Sequence, residues 1–396
     1  MVEDIIIGVV GNFSDGKTTL IKALTSESTL RHSEEKKRGI TIRLGYAHLY
    51  LYRCEKCNAY SRYEKCEVCG GNANLEKRIS IIDSPGHKNL MTVMLSGASL
   101  IDAAILVVSA ASKCPQPQTE EHLEALKIIG VNKLVVAQTK VDLVGEQRAR
   151  ESYNEIKDFL SKNGFENVPI IPVLASANIN ITEFVQEIGK LEASKDQGEN
   201  MKMLVVRSFD ANVPGTNISD LKGGILGGAL SSGRLSVGDK IMVYPGVQVK
   251  GDMKPLSTTV AEIQSEFGKE QNVGRGITIG VRTLIDPALA RNDGLSGSLV
   301  VKEGVKPILA NKLNIKYFPL KEKEVTLFKK PIQKNEMVLL NILAGKALGT
   351  VVEVRGGDVK IVLNNTVLPF FSGDKGVVSR RVEGVWYLAG SCTVYE

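Results

Sequence analysis

The sequence predicts a doubly wound, mostly parallel α/β domain carrying a cysteine knuckle, followed by two all-β barrel domains. Three observations carry that expectation. Short apolar runs alternate with helical patterns up to about residue 192, four cysteines crowd into residues 54–69, and glycine becomes dense after residue 200.

The apolar runs lie at residues 5–10, 79–82, 103–108, 133–137 and 169–173. Between them, residues 119–129 and 150–160 place apolar side chains at helical spacing. Strands alternating with helices bury both faces of a parallel sheet, and it is their regular recurrence that separates such runs from buried helix. The segment 191–200 is polar and reads as a linker. Beyond it Gly223, Gly224, Gly227, Gly228, Gly233, Gly238 and Gly246 punctuate short β-rich runs, the pattern of barrels or sandwiches. A second break falls at residues 301–307, so the expected domains are 1–195, 196–305 and 306–396.

Composition excludes little. The chain has 396 residues, 43% of them hydrophobic, which is enough for two or three ordinary cores. Fifty Lys and Arg against 44 Asp and Glu give a net charge of +6, which permits a polyanionic partner and equally describes a solvated surface. The N-terminus lacks the basic start and long apolar stretch of a secretory signal, no segment is long enough to span a membrane, and the last residues carry no prenylation motif. The expectation is a soluble, cytoplasmic protein with no membrane partner.

Gly11-Asn12-Phe13-Ser14-Asp15-Gly16-Lys17-Thr18 fits G-x-x-x-x-G-K-[ST], with an apolar strand before it and a helix pattern after it. Backbone N–H groups of such a turn point at phosphates, and the helix N-terminus adds its positive end. Lys17 would neutralise the β- and γ-phosphates and the Thr18 hydroxyl would bind Mg²⁺. A chance glycine-rich turn would lack that strand–loop–helix context.

Three shorter motifs follow strands in order. Asp83-Ser84-Pro85-Gly86 places a carboxylate for the Mg²⁺ shell and a backbone N–H for the γ-phosphate. Thr139-Lys140-Val141-Asp142 offers the Asp142 carboxylate to the N1–H and amine of guanine. Ser176-Ala177 offers a backbone amide to the guanine O6. Each could be an ordinary loop, but together they fall where open α/β sheets bind ligands.

Cys54-Glu55-Lys56-Cys57 and Cys66-Glu67-Val68-Cys69 form C-x2-C-x8-C-x2-C, while Cys114 and Cys392 stand alone. Two such turns can complete a tetrahedron around Zn²⁺, and four thiolates leave no open position, so the site is read as structural. Disulfides, an iron–sulfur cluster and idle thiols are the other readings of the same spacing.

With these motifs in place, the chain resembles the translational GTPases related to elongation factor Tu. Arg38-Gly39-Ile40-Thr41-Ile42 resembles that family's first switch and Asp83-Ser84-Pro85-Gly86-His87 its second. Within it the resemblance is strongest to the gamma-subunit family of archaeal and eukaryotic initiation factor 2. His32-Ser33-Glu34-Glu35, Gly45-Tyr46-Ala47, the knuckle, Met94-Leu95-Ser96-Gly97-Ala98 and Cys114-Pro115-Gln116-Pro117-Gln118-Thr119 carry it. Arg207-Ser208-Phe209-Asp210 and Leu221-Lys222-Gly223-Gly224 resemble the start of that family's second domain. The resemblance covers the whole chain and thins after residue 305.

The resemblance implies a GTP hydrolase in which His87 orients the attacking water, with Lys17 and Thr41 as the other catalytic residues and Phe13 and Ile40 as an apolar gate. GTP or GDP would meet Ser14, Asp15, Gly16, Lys17, Thr18, Thr19, Gly86, Thr139, Lys140, Asp142, Ser176 and Ala177. Mg²⁺ would lie among Thr18, Thr41 and Asp83, with Gly39 and Ser14 beside it. The implied partners are the alpha and beta subunits of a heterotrimer, initiator methionyl-tRNA and the small ribosomal subunit.

Three departures from the family pattern stand out. Ser14 and Asp15 stand where its phosphate loop reads Asp-His, Phe13 replaces the usual Val, and Thr139 replaces the Asn of N-K-x-D. Rival readings are a selenocysteine-specific elongation factor, the GTPase subunit of sulfate adenylyltransferase, and a GTP-binding scaffold that no longer hydrolyses.

Overall fold

The structure, a computed structural model, describes residues 2–26, 45–84, 100–193, 198 and 200–396. The chain divides into two compact units, residues 1–94 with 101–195 and residues 95–100 with 196–396. In the first unit the strands are β1 (Glu3–Gly11), β2 (Gly45–Cys54), β3 (Tyr60–Ser61), β4 (Ala73–Asp83), β5 (Ala103–Ser109), β6 (Leu134–Thr139) and β7 (Ile170–Pro172). The helices used below are α1 (Lys17–Thr25), α2 (Pro117–Ile129), α3 (Glu146–Lys162) and α4 (Ile181–Gly189).

The sheet runs β3-β2-β4-β1-β5-β6-β7, with the last five strands parallel and β2 and β3 antiparallel. Every residue of β5 is buried and β1 is buried from Ile5 onward, as central parallel strands covered on both faces must be. Ile5, Ile7 and Val9 pack with Leu20, Ile21 and Leu24 of α1 and with Phe184, Val185 and Ile188 of α4. The five apolar runs of the sequence are all strands here.

β2 is the strand that run-counting overlooks. Its buried residues Gly45, Ala47, Leu49 and Leu51 alternate with half-buried Tyr46, His48, Tyr50 and Tyr52. A period of two, rather than a continuous apolar run, is its signal.

The second unit holds two barrels. In the first, Lys240–Val249 pairs with both Asp252–Ser265 and Leu299–Lys302, which closes a ring through Lys202–Phe209, Ile225–Ser232 and Thr278–Thr283. Glycine is dense here because backbones approach closely: a Cβ on Gly228 would lie 1.9 Å from the Leu204 carbonyl oxygen. The second is a closed six-strand barrel of Lys312–Pro319, Asp358–Leu363, Gly345–Arg355, Met337–Ile342, Lys375–Val382 and Val385–Tyr395. Lys202 joins the two, its ammonium 3.7 Å from Asp374 and 4.2 Å from the centre of the Phe371 ring.

Arg380 is the largest fully buried side chain among the described residues. Its guanidinium grips Glu336 through both carboxylate oxygens at 2.6 and 3.1 Å, donates to the Lys330 carbonyl at 2.9 Å and lies over the Phe328 ring. Removing one partner of such a pair strands the other charge in a dry place. Arg380→Ala is therefore expected to cost about 3–4 kcal/mol, read as a lower urea midpoint at unchanged m-value.

Candidate functional site

β1 delivers the chain to Gly11, where the backbone leaves the sheet at φ 144°. A Cβ there would lie 2.3 Å from the Val107 carbonyl oxygen of β5, so the turn admits only glycine. Ser14 (φ 62°) and Gly16 (φ 94°) are left-handed and bend the loop into the start of α1. The Asn12 N–H donates to the Asp15 carboxylate at 3.2 Å, and the Asp15 N–H donates to the Asn12 carbonyl at 3.4 Å. Lys17 folds back across this turn and donates to the carbonyls of Gly11 (3.0 Å) and Asn12 (2.7 Å). Gly16, at the N-cap of α1, brings no capping side chain, so the first-turn amides face the loop.

Burial governs the charges. Lys17 is 7% exposed, and desolvation lowers its proton affinity against the opposing pull of Asp83 and Asp15. Asp15, 3% exposed, is pushed up to about 6 by burial, with Lys17 opposing.

Neighbouring strands bring the other motifs to this loop. Val9 of β1 is in register with Asp83 of β4, and the Thr18 hydroxyl donates to the Asp83 carboxylate at 3.1 Å. Ser109 of β5 is in register with Thr139 of β6. The Thr139 hydroxyl donates to the Asp15 carbonyl at 2.6 Å and lies 3.3 Å from that of Val108. Thr139 thus ties the loop to β6. Lys140 is left-handed (φ 56°), and Asp142 is exposed in the single turn Val141–Leu143. Ser176 and Ala177 are exposed in the turn Ala175–Ala177 after β7, where the Ala177 N–H donates to the Leu174 carbonyl at 3.1 Å.

Direct contacts therefore link Thr18 to Asp83 and Thr139 to the Asp15 carbonyl, while Lys17 bonds the Gly11 and Asn12 carbonyls of the same loop. Asp142, Ser176 and Ala177 follow the carboxyl ends of adjacent parallel strands, β6 and β7. Thr19 continues the first turn of α1. Gly39, Thr41, Gly86 and His87 lie outside the described residues. Together these contacts set one ammonium on two loop carbonyls, beside the uncapped first turn of α1 and a hydroxyl–carboxylate pair. That chemistry suits a polyphosphate and a divalent cation.

His122 is a residue that sequence reasoning passed over. It lies in α2, is 1% exposed, and its Nδ1 accepts the Gly11 N–H at 3.0 Å. Burial, with the Lys17 charge adding to it, pushes the imidazole down to about 3, so the acceptor form persists. Its sequence signal is weak, because Thr119, His122, Leu123 and Leu126 read simply as the buried face of a helix.

The four knuckle thiols converge with all sulfur atoms within 4.8 Å of one another. Cys54 and Cys69 are 3.4 Å apart and Cys57 and Cys66 are 3.6 Å apart, near the ~3.8 Å edge of a tetrahedron with ~2.3 Å Zn–S bonds. All six cysteines are free. Backbone amides of Cys57 and Lys56 point at the Cys54 sulfur and lower its pKa, while the neighbouring sulfurs push that of Cys57 up. The residues fit a tetrahedral thiolate metal site.

Comparison with known proteins places this geometry. The family model described as the elongation factor Tu GTP binding domain matches residues 3–194, and that described as initiation factor eIF2 gamma, C terminal, matches residues 311–394. Over 399 residues the chain is 42% identical to the translation initiation factor 2 subunit gamma of Methanocaldococcus jannaschii, covering 98% of this chain and 96% of that one. Its counterpart in Pyrococcus abyssi is 40% identical, with 98% and 97% covered. Among solved structures, a bacterial selenocysteine-specific elongation factor superposes with a TM-score of 0.77 at 24% identity, over 99% of this chain and 58% of its own. Translation elongation factor SelB from Methanococcus maripaludis, bound to a GTP analogue, gives 0.74 at 21% identity, over 100% of this chain and 79% of its own. At those identities the likeness is one of fold.

The buried neutral His122 has a consequence for pH. Its pKa is depressed in the fold, so the unfolded chain binds the proton first and stability falls as pH drops below about 6.5. Between pH 7.5 and 5 the wild type is expected to lose about 2 kcal/mol more than His122→Asn, which offers an untitratable acceptor near the same place. Urea titrations at the two pH values measure it.

Proposed function

The chain belongs to the gamma-subunit family of translation initiation factor 2, and we propose from this how its residues serve that role. It is the GTPase subunit of an initiation factor, built on an elongation factor Tu-type GTP-binding domain. In the GTP state it carries initiator methionyl-tRNA to the small ribosomal subunit, assembled with alpha and beta subunits in the cytoplasm. No described helix is long and apolar enough to cross a membrane. We place its domains at 1–195, 196–305 and 306–396.

The observation that carries the site assignment is the contact of Lys17, Thr18, Asp83 and Thr139 around one loop at the carboxyl ends of β1, β4 and β6. The phosphates of GTP lie in that loop, met by the first amides of α1 and the Lys17 ammonium. Two carbonyls hold this ammonium over the turn. Thr18 and Asp83 would hold Mg²⁺, with Thr41, Gly39 and Ser14 beside them. When bound, that ion neutralises charge on the phosphate oxygens. His87 orients the attacking water, and Thr41 and Gly86 sense the γ-phosphate. Because the Thr139 hydroxyl is spent on the loop, guanine selection rests on Asp142, with the Ser176–Ala177 turn beside the base. Cys54, Cys57, Cys66 and Cys69 would hold one structural Zn²⁺.

The selenocysteine-factor reading rests on fold alone, whereas the initiation-factor relatives match at about 40% identity along both chains.

Three measurements test these assignments. Elemental analysis of protein purified without chelator is expected to give one zinc per chain, and Cys66→Ser none. Asp142→Asn presents a donor to the donor edge of guanine, so GTP affinity should fall about 100-fold while xanthosine triphosphate gains. The functional reading itself is tested by titrating initiator methionyl-tRNA, elongator methionyl-tRNA and selenocysteinyl-tRNA with the GTP-analogue and GDP forms at two salt concentrations. Preference for initiator tRNA in the GTP-analogue form, weakened by salt, is expected. Preference for selenocysteinyl-tRNA, or no tRNA binding in either state, would overturn it.

A further inference from the structure

We propose that the cysteine knuckle is a brace for α1, and that Arg62 is the positioning residue which carries metal occupancy to that helix. The inference rests on the reading of residues 11–18 as the nucleotide loop, since α1 begins there.

The contacts form one continuous chain. Glu67 sits inside the Cys66–Cys69 ligand turn and holds Arg62 on three sides. It accepts from the Arg62 Nη2 at 2.7 Å, from Nε at 3.2 Å, and from the Arg62 backbone N–H at 3.0 Å. The remaining arm, Nη1, donates to the Ala23 carbonyl at 2.6 Å. Both side chains are largely buried, at 11% and 15% exposed, so this fork is little screened by water.

Ala23 lies in the last turn of α1, where carbonyls have no partner within the helix. The neighbouring Lys22 carbonyl takes the Ser26 N–H at 2.8 Å, and Ala23 takes the guanidinium. A cation here also meets the negative end of the helix dipole. The opposite end of the same helix is the phosphate loop. From Ser26 the chain continues toward the segment that contains Gly39 and Thr41.

The base of the knuckle is fixed separately to α4. Tyr60 and Gln186 exchange two hydrogen bonds at 2.8 Å, and the Tyr60 ring lies so close to Gly189 that a Cβ there would be 2.1 Å away. Among the described residues, the ligand turn reaches the rest of the domain through the Glu67–Arg62 pair and its bond to Ala23. Among the described residues its apolar cluster contains Cys54, Cys66 and Ala73, with Tyr52, Ala59 and Cys69 partly buried against it. With so small an apolar cluster, the order of this turn rests on its backbone bonds, Cys66 N–H to the Gly71 carbonyl at 2.8 Å and Gly70 N–H to the Cys66 carbonyl at 2.9 Å, and on a metal drawing the four sulfurs together. Losing the metal frees Glu67, Glu67 releases Arg62, and the end of α1 loses its cap.

The test compares wild type, Arg62→Ala and Arg62→Lys, each with zinc and after chelation. Two readouts are taken: dissociation of a fluorescent GDP, and amide hydrogen exchange over residues 20–26. Chelation and Arg62→Ala should each speed dissociation by about three- to ten-fold and raise exchange over 20–26. The two should not add, because both act through one contact. Arg62→Lys keeps the charge without the fork and should fall between wild type and Arg62→Ala. Chelation that acts at full strength in Arg62→Ala, or exchange over 20–26 that is the same with and without zinc, would overturn the brace. A wild type that binds no guanine nucleotide would defeat the nucleotide reading instead, and the exchange measurement would still decide the brace.

Discussion

β1 runs parallel between β4 and β5, and at its end the backbone passes so close to β5 that the Val107 carbonyl occupies the place of a side chain on Gly11. Much of the site follows from that close passage. The turn after Gly11 aims the carbonyls of Gly11 and Asn12 at Lys17, and α1 starts with its amides toward the same space. The parallel register sets Asp83 beside Val9 and Thr139 beside Ser109, which delivers two further motifs without any long loop having to find them. Rigid strands, not flexible connections, hold most of the polar groups.

Around this turn, second-layer contacts are made by residues from distant parts of the chain. His122 takes the Gly11 amide from one side, Thr139 takes the Asp15 carbonyl from another, and Arg62 takes the Ala23 carbonyl at the far end of α1. Each satisfies a backbone group that the turn or helix end leaves without a regular partner. The substitution of Thr for Asn at 139 is tolerable for this reason: a hydroxyl suffices to bond one carbonyl. Asp15 is harder to accommodate, because its carboxyl is buried and Lys17 is the nearby counter-charge.

Much of this was legible in the sequence, and the reasons differ by element. β1, β4, β5, β6 and β7 stood out because central parallel strands are apolar on both faces. β2 did not, since tyrosines and a histidine on its second face break the apolar run. The phosphate loop, the Asp83 motif and the four cysteines were legible because their chemistry needs fixed residue types at fixed spacing. The partners of Gly11, Asp15 and Ala23 were not, because they lie 111, 124 and 39 residues away and are ordinary residues in their own segments. A histidine on a buried helix face or an arginine in a short hairpin acquires its role only from the tertiary contact.

On this reading one loop, held by Gly11 and crossed by Lys17, binds guanine nucleotide. Calorimetric titration of GDP and ADP into wild type and Lys17→Met, with Mg²⁺ present, addresses it most directly. The expected result is one GDP site per chain, at least a 100-fold preference for GDP over ADP, and a loss of most GDP affinity in Lys17→Met (about 3 kcal/mol for a buried charge-assisted contact), measured at a temperature where circular dichroism shows the variant folded. Equal binding of the two nucleotides, or full GDP affinity in Lys17→Met, would contradict it.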